Sequence, residues 1–309
     1  MKKLKLIVSD FHLGKGSHLP SKAINKLEDF HYDNKFKEFI EYYTKGEYKD
    51  GAVELIMNGD ILNLIQLDYH GHYTVIITEQ VSVTKLQAII DGHPVFFKTL
   101  KEFLENPKNQ VTYVVGNHDQ EMMWKGTRRM FEEVVGREVN WKNIHYQVDG
   151  IHVEHGHQFE TVNRVDPTRT FITENLPEPI LNLPWGTLFT VQFIIKLKQL
   201  RPAIDKVRPF RLMIRWSLVH DTWMALYQGF KFLSYFISTR FSKNRFRQAN
   251  LVMSWDMLFG SRVFPDLTEF AKRILRTPEI HTVIFGHTHV YKQVQLSDQK
   301  QYINTGTWC

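Results

Sequence analysis

The sequence predicts an α/β fold with a largely parallel or mixed sheet, because short apolar runs alternate with helical stretches along the chain. Five runs of four to six residues are apolar and rich in β-branched residues, as buried strands are. Each run ends abruptly in small and polar residues that can bind metals. The five runs are Leu4–Ser9, Val53–Met57, Val111–Val115, Ile151–Glu154 and His281–Phe285.

Helical and hairpin patterns fill parts of the chain between and after these runs. Asn34–Lys45 and Pro94–Glu105 have helical character. Tyr291–Leu296 and Gln301–Asn304 flank a polar turn, which predicts a β-hairpin. Ligands of such sheets gather beyond the carboxyl ends of the strands. We therefore expect the residues that follow the five runs to meet at one site.

The composition is that of an ordinary globular protein. Of the 309 residues, 43% are hydrophobic and 23% are charged. Cys309 is the single cysteine, so no internal disulfide can form, which fits a reducing compartment. Met1–Lys5 lead directly into the first apolar run without the apolar core of a secretory signal. These features predict a cytoplasmic protein.

The residues that follow the five runs offer carboxylate, amide and imidazole ligands. Hard divalent cations prefer oxygen, whereas Mn²⁺, Fe²⁺ and Zn²⁺ also accept imidazole. This set is too large for one ion and suffices for two if one carboxylate bridges. We expect two divalent metal ions, with Mn²⁺ preferred and Fe²⁺ or Zn²⁺ as alternatives. The candidate ligands are Asp10, His12, Asp60, Asn117, His155, His287 and His289.

Each short motif taken alone is explained by ordinary turn chemistry. The order Asp-x-His, Gly-Asp, Gly-Asn-His-Asp, His-Gly-His and Gly-His-x-His, however, resembles the calcineurin-like metallophosphoesterase family. The resemblance implies a four-layer α/β sandwich with two central mixed sheets. It also implies that Asp10, His12 and His289 hold one metal, that Asn117, His155 and His287 hold the other, and that Asp60 bridges them.

The same resemblance implies catalytic roles for two residues of the third motif. His118 would face the leaving group as a proton donor, and Asp119 would orient His118. Two cations about 3.5–4 Å apart would lower the pKa of a bridging water and clamp the phosphoryl oxygens during in-line attack. The expected activity is hydrolysis of a phosphodiester or pyrophosphate bond. We also expect Gly59, Gly116 and Gly286 to allow close backbone approach beside the ligands.

Residues 161–278 differ in composition from the rest and predict a helical cap inserted into a catalytic domain formed by residues 1–160 and 279–309. Between Val191 and Asn250 twelve basic residues face two acidic ones, a net charge of +10 within a chain of +6. Aromatic residues alternate with these cations. No uncharged run reaches the roughly 20 residues of a membrane-spanning helix. The pattern predicts either a solvated basic face or contact with an anionic membrane surface.

An inserted helical cap in this position resembles the UDP-2,3-diacylglucosamine hydrolases. That resemblance implies a lipid-linked substrate, or another phosphorylated small molecule, and a peripheral position on the inner face of the membrane. The third motif departs from that subgroup, which commonly has Arg where this chain has His118. A nuclease or nucleotide phosphodiesterase, with nucleic acid as partner, is the second choice. A non-catalytic scaffold that keeps the fold is a further alternative.

Overall fold

A computed structural model describes residues 3–19, 21–49, 51–201, 210–241 and 266–309. The strands in these ranges are β1 (Lys3–Val8), β2 (Ala52–Asn58), β3 (Gln110–Val114), β4 (Asn140–Lys142), β5 (His145–Val148), β6 (Ile151–Glu154), β7 (Phe171–Ile172), β8 (Ile180–Leu181), β9 (Thr282–Phe285), β10 (Lys292–Ser297) and β11 (Lys300–Asn304). The helices are α1 (Asp33–Tyr42), α2 (Glu79–Gly92), α3 (Pro94–Glu105), α4 (Lys125–Val135), α5 (Trp185–Phe189), α6 (Ile195–Leu200), α7 (Phe210–His220), α8 (Thr222–Arg240) and α9 (Thr268–Ile274). A π-helical turn, Thr190–Ile194, joins α5 to α6.

Two sheets form the body of the molecule. The first sheet has the order β1-β2-β3-β4, and its strands pair in parallel. The second sheet has the order β10-β11-β9-β6-β5 and is mixed. In it β9 pairs in parallel with β6 and β11, while β5 and β10 pair antiparallel at the edges. The α/β class is confirmed, with one parallel and one mixed sheet where the sequence predicted two mixed ones.

The side chains of each strand alternate between two cores, as the period of two residues requires. In β2, Leu55 and Met57 pack with the helices, whereas Ile56 packs with Val153 and Ile284 of the second sheet. On the outer face of the second sheet, Val283, Phe285 and Tyr302 pack against Leu267, Ala271 and Leu275, in and beside α9. The order of layers is therefore helices, sheet, sheet, helix.

The predicted elements agree with this architecture. The five apolar runs form β1, β2, β3, β6 and β9, and the hairpin forms as β10 and β11. The second predicted helix has the bounds of α3, and the first corresponds to α1 with slightly different ends. Helices α2 and α4 were not singled out from the sequence.

The predicted insertion contains the hairpin β7–β8 as well as helices α5 to α8. Residues 202–209 and 242–265, with five of the twelve cations and the aromatic Phe246, lie outside the described residues. Helix α9 falls within the predicted limits of the insertion, yet it packs on the second sheet. The division into two domains stays a prediction. Among the described helices, none combines the length and apolarity needed to cross a bilayer.

Candidate metal centre

The candidate ligands lie where the carboxyl ends of strands from both sheets meet. The first sheet contributes Asp10, Asp60 and Asn117 after β1, β2 and β3, and the second contributes His155 and His287 after β6 and β9. These five side chains are buried. Parallel strands of one sheet end at the same edge, which explains how residues up to 277 positions apart in sequence come into contact.

One group of ligands surrounds Asp10. The Nε2 atoms of His12 and His289 are 3.0 Å apart, and His289 Nε2 lies 3.3 Å from Asp10 Oδ1. His12 Nε2 is also 3.9 Å from both Asp10 Oδ1 and Asp60 Oδ2. Two imidazole nitrogens that face each other beside two carboxylates form a natural chelating set for a cation.

A second group surrounds the other side of Asp60. His155 Nε2 lies 3.1 Å from Asp60 Oδ2, and the ligand atoms of Asp60, His155 and His287 lie within 4.8 Å of one another. Asn117 stands in the loop between Gly116 and His118, and the backbone N–H of His118 donates to Asp60 Oδ1 over 2.8 Å. Asp60 therefore lies between the two groups.

Several buried atoms in this pocket lack a hydrogen-bond partner among the described residues. Asn117 Oδ1 is one of them. His155 Nε2, which faces Asp60 Oδ2 over 3.1 Å, is another. The other nitrogen of His155, Nδ1, contacts the backbone oxygen of Asn58 over 2.9 Å, so Nε2 is the atom turned toward the pocket. An unpaired buried acceptor such as Asn117 Oδ1 is costly in a protein interior, and a bound cation would satisfy it. The residues present thus fit two divalent ions.

The backbone around the ligands is strained in a way that places their side chains. Positive φ is uncommon outside glycine and clusters at functional sites. Five candidate ligands adopt it: Asp10, His12, Asp60, His287 and His289. Glycines allow the close approach that was expected. A Cβ on Gly116 would lie 2.3 Å from Asp60 Oδ1, and one on Gly286 would lie 2.5 Å from Asp10 Oδ2.

Charge and burial act against each other in this pocket. Burial opposes ionisation of Asp10 and Asp60, but the neighbouring imidazoles, above all His155, outweigh it and hold both pKa values below their usual range. Burial likewise opposes protonation of His155, yet Asp60 and Asp10 raise its pKa to about 10. The pocket thus stabilises positive charge close to the two carboxylates.

His118 lies beside this pocket, and its partner differs from the one expected. Its Nδ1 contacts Asn63 Oδ1 over 2.8 Å. Asp119 instead accepts from the hydroxyl of Tyr113 over 2.7 Å, and from the backbone N–H groups of Ile61 and Gly116. Asp119 therefore connects the loops that carry the second and third motifs, and Asn63 is the side chain that contacts the imidazole of His118.

Burial lowers the pKa of His118 to about 3, because the gain from Asp60 is offset by the neighbouring imidazoles of His12 and His289. For Asp119, burial and the charge of Asp60 raise the pKa to about 7. A neutral His118 fits the contact with Asn63, since an imidazole Nδ1–H can donate to the amide oxygen.

Among the described residues near the site, Asn63, Glu160 and Cys309 are not predicted as functional by the sequence. Asn63 contacts His118, and Glu160 Oε2 lies 2.6 Å from His287 Nε2. The sulfur of Cys309 forms a group with His12 and His289 whose ligand atoms lie within 4.8 Å of one another. Asn63 follows Asp60 by three residues, and this spacing is a signal that could have identified it. Glu160 and Cys309 carry no such local signal, because tertiary structure alone brings them to the site.

Two comparisons with known proteins bear on the chain. The family model described as calcineurin-like phosphoesterase matches residues 5–291. None of the curated proteins compared with the chain matches it significantly.

Proposed function

The chain belongs to the calcineurin-like phosphoesterase family and is a hydrolase of phosphate esters, and on this premise we propose that it cleaves a phosphodiester or pyrophosphate bond. The observation that supports this proposal is the convergence of carboxylate, amide and imidazole groups from both sheets in one buried pocket with unpaired atoms. Diverse donors of this kind suit two divalent cations better than one.

We propose the same ligand roles that the sequence implies. Asp10, His12 and His289 would hold one cation, Asn117, His155 and His287 would hold the other, and Asp60 would contact both. When bound, the cations supply positive charge for the phosphoryl oxygens and lower the pKa of a water molecule. We propose Mn²⁺ as the native ion, because the set mixes oxygen and nitrogen donors, with Fe²⁺ or Zn²⁺ as alternatives.

His118 would stand next to the leaving oxygen of the substrate. The contact with Asn63 fixes the ring by Nδ1 and leaves Nε2 toward the pocket. Burial keeps the pKa of this ring low in the free protein. Negative charge that develops on a leaving oxygen favours the protonated ring and so opposes that effect. Proton transfer at this position typically contributes about 10²–10⁴ in rate.

Metal dependence is the direct test of this proposal. Purified protein is treated with a chelator and assayed with an aryl phosphodiester and an aryl phosphomonoester, before and after addition of Mn²⁺, Fe²⁺ or Zn²⁺. We expect activity to disappear on chelation and to return most fully with Mn²⁺. Metal content measured by mass spectrometry should approach two ions per chain. Full activity in the presence of chelator would overturn the proposal, and protein that takes up no metal would favour the scaffold alternative.

The inserted helices support a lipid-linked substrate. Helix α8 has apolar residues on two faces. Phe232, Tyr235 and Phe236 pack against Trp185 and Phe189. The other face is exposed, with spacings of three and four residues that place it along one side of the helix. Its members are Trp223, Leu226, Tyr227, Phe230, Leu233 and Ile237.

Charge on the same helices is complementary to an anionic surface. Arg215, Lys231 and Arg240 are exposed. The single acidic residue in the described part of α7 and α8 and the turn between them, Asp221, pairs with Arg201. Exposed aromatic residues with cations around them are the pattern of a helix lying at an anionic bilayer. We propose that this face docks on the inner face of the membrane, where a substrate such as a UDP-diacylglucosamine would present its phosphates.

Sedimentation with vesicles tests the docking face. Vesicles with and without phosphatidylglycerol are incubated with the wild type, with a Trp223→Ser/Phe230→Ser double variant, and with an exposed control variant, Tyr42→Ser. We expect wild type and control to bind the anionic vesicles and the double variant to lose most binding. Equal binding by all three proteins would exclude this face as the docking site. Tight, salt-sensitive binding to single-stranded DNA that depends on Trp223 would favour the nuclease alternative instead.

A further inference from the structure

Glu160 lies next to the metal pocket although no motif contains it. It follows the single helical turn His157–Phe159, where the chain leaves the fourth motif and enters the predicted insertion. Its Oε2 is 2.6 Å from Nε2 of His287, and their side chains are 12% and 3% exposed. Glu160 is therefore a largely buried carboxylate in direct contact with a candidate metal ligand.

The separation of these two atoms distinguishes two roles for Glu160. Two atoms that bind one cation at about 2.1 Å and at a right angle lie about 3 Å from each other. A charge-assisted hydrogen bond between nitrogen and a carboxylate is shorter, about 2.7–2.9 Å. The 2.6 Å separation fits a shared proton rather than a shared cation. If Nε2 of His287 donates to Glu160, a metal held by this ring would be bound through Nδ1.

Glu160 is itself held in place from the inserted segment. The side-chain amide of Asn163 donates to Glu160 Oε2 over 2.7 Å, and the backbone N–H of Asn163 donates to the backbone oxygen of Glu160 over 3.1 Å. The turn is therefore closed by its own side chains and directs one carboxylate oxygen at His287.

Helix α5 packs directly on this turn. The backbone N–H of Gly186 donates to the oxygen of Val162 over 2.8 Å. A Cβ on Gly186 would lie 2.2 Å from Asn163 Oδ1, so only glycine allows the helix to come this close. A chain of contacts through Asn163 and Glu160 therefore links α5 to His287.

We propose that Glu160 is a positioning residue that fixes the ring of His287 so that Nδ1 faces the second metal, and that α5 holds Glu160 in place. This inference rests on the proposed role of His287 as a metal ligand. Carboxylates that accept from the distal nitrogen of a metal-bound histidine orient the ring and raise its basicity, and their loss typically costs about 10–100-fold in metal affinity.

Calorimetric titration with Mn²⁺ alone tests the inference on the full chain. In Glu160→Ala we expect the affinity of one of the two sites to fall about 10–100-fold while the other is unchanged. Glu160→Gln keeps an acceptor oxygen and should lose less. Gly186→Ala should lower the Mn²⁺ affinity of the same site, but by a smaller factor than Glu160→Ala does. Glu174→Ala removes an exposed carboxylate from the same segment and should leave both affinities unchanged.

A spectroscopic measurement separates positioning from general structural damage. Protein labelled with ¹⁵N-histidine and loaded with Zn²⁺ reports which nitrogen of His287 binds metal, and His287→Gln assigns its signals. We expect Nδ1 to be metal-bound in the wild type and the His287 signals to broaden or shift in Glu160→Ala. Metal bound to Nε2, or unchanged affinities in folded Glu160→Ala, would overturn the inference. If Glu160→Ala keeps both affinities but His287→Ala loses one, the proposed function stands and only this inference fails.

Discussion

Helices α3 and α8 show how differently two regions of this protein use apolar residues. Helix α3 buries six of its twelve residues against the first sheet, including Phe96, Leu100 and Phe103. Helix α8 has nineteen residues and buries none completely, although five of its large apolar side chains are more than half exposed: Trp223, Leu226, Tyr227, Phe230 and Leu233.

The apolar face of α3 and the apolar face of α8 differ in what they contribute to the protein. Burial of a large apolar side chain stabilises a fold by about 1.5–3 kcal/mol, which explains the composition of α3. The exposed face of α8 contributes little to the stability of the fold, because its apolar side chains stay in contact with solvent. Contiguous exposed apolar surface on a soluble protein usually marks an interaction site. Helix α3 thus stabilises the sheet whose strand ends carry the candidate ligands, whereas α8 leaves much of its apolar surface in contact with solvent.

We expect the most severe loss, that of catalysis, from a substitution at Asp60 in the candidate metal pocket. In Asp60→Asn the residue between the two ligand groups loses its charge, while Oδ1 can still accept from His118 N–H. Bound metals contribute several kcal/mol to catalysis, so we expect kcat/KM to fall by about 10³-fold or more. Asp298→Asn, in the exposed turn between β10 and β11, is the matched control. An Asp60→Asn protein with a tenth of wild-type activity would contradict the role of Asp60.

A core substitution tests how much the buried aromatic cluster of α3 contributes to stability. Phe96 is completely buried and packs with Phe11, Phe30 and Phe36. Phe96→Ala should reduce the free energy of unfolding by about 3–5 kcal/mol. Phe11 lies between Asp10 and His12, so we expect Phe96→Ala to lower the metal affinity as well as the stability. Urea denaturation of the metal-free protein measures the first effect, and a loss below 1 kcal/mol would show that this cluster is poorly packed.

A buried histidine, His93, should make the free energy of unfolding vary with pH. Burial lowers the pKa of His93, but Asp33 and Glu28 outweigh it and raise the pKa to about 9. The unfolded pKa is about 6.5, so the charged ring stabilises the fold fully below that pH. This contribution, on the order of 2–3 kcal/mol, should be lost as the pH rises from 6.5 to 9.

Urea denaturation at pH 6, 7.5 and 9 measures this loss. The decline in the free energy of unfolding from pH 6 to pH 9 should be smaller in His93→Gln than in the wild type. His72→Gln, which changes an exposed loop histidine, should decline as the wild type does. Parallel declines in wild type and His93→Gln would assign the pH dependence to other groups.

The smallest expected effect is on the stability of α8 variants. Trp223 and Phe230 are 84% and 71% exposed. Replacing either with serine should change the free energy of unfolding by no more than about 0.5 kcal/mol, as at other exposed positions. A loss comparable to that of Phe96→Ala would show that this face is covered within the folded chain and would remove the argument for an external partner.

Much of the scaffold could be predicted because its signals are local. The run Val111–Val115 is apolar and ends in Gly116, so the sequence alone indicates a buried strand followed by a turn. The bounds of α3 follow from Pro94 at its beginning and Pro107 after its end. Helix α2 was not singled out, because its buried residues include Lys85, which pairs with the buried Glu121. A charged residue in a core has no signature in hydrophobic periodicity.

Contacts between distant segments could not be predicted. No local pattern pairs His118 with Asn63, or Glu160 with His287, because side-chain partners depend on the exact path of each loop. Lys198 illustrates the same point. It belongs to the basic stretch that suggested a charged surface, yet it is completely buried and donates to Asp29 and Gln66.

Local composition was enough to predict the α/β class and the ends of the strands, and ligand chemistry was enough to name candidate metal-binding groups. Only the folded chain shows which face of α8 is exposed, that His118 contacts Asn63 and that Glu160 contacts His287. Those features depend on packing between segments far apart in the chain, and the free energy of such contacts leaves no periodic trace in either segment alone.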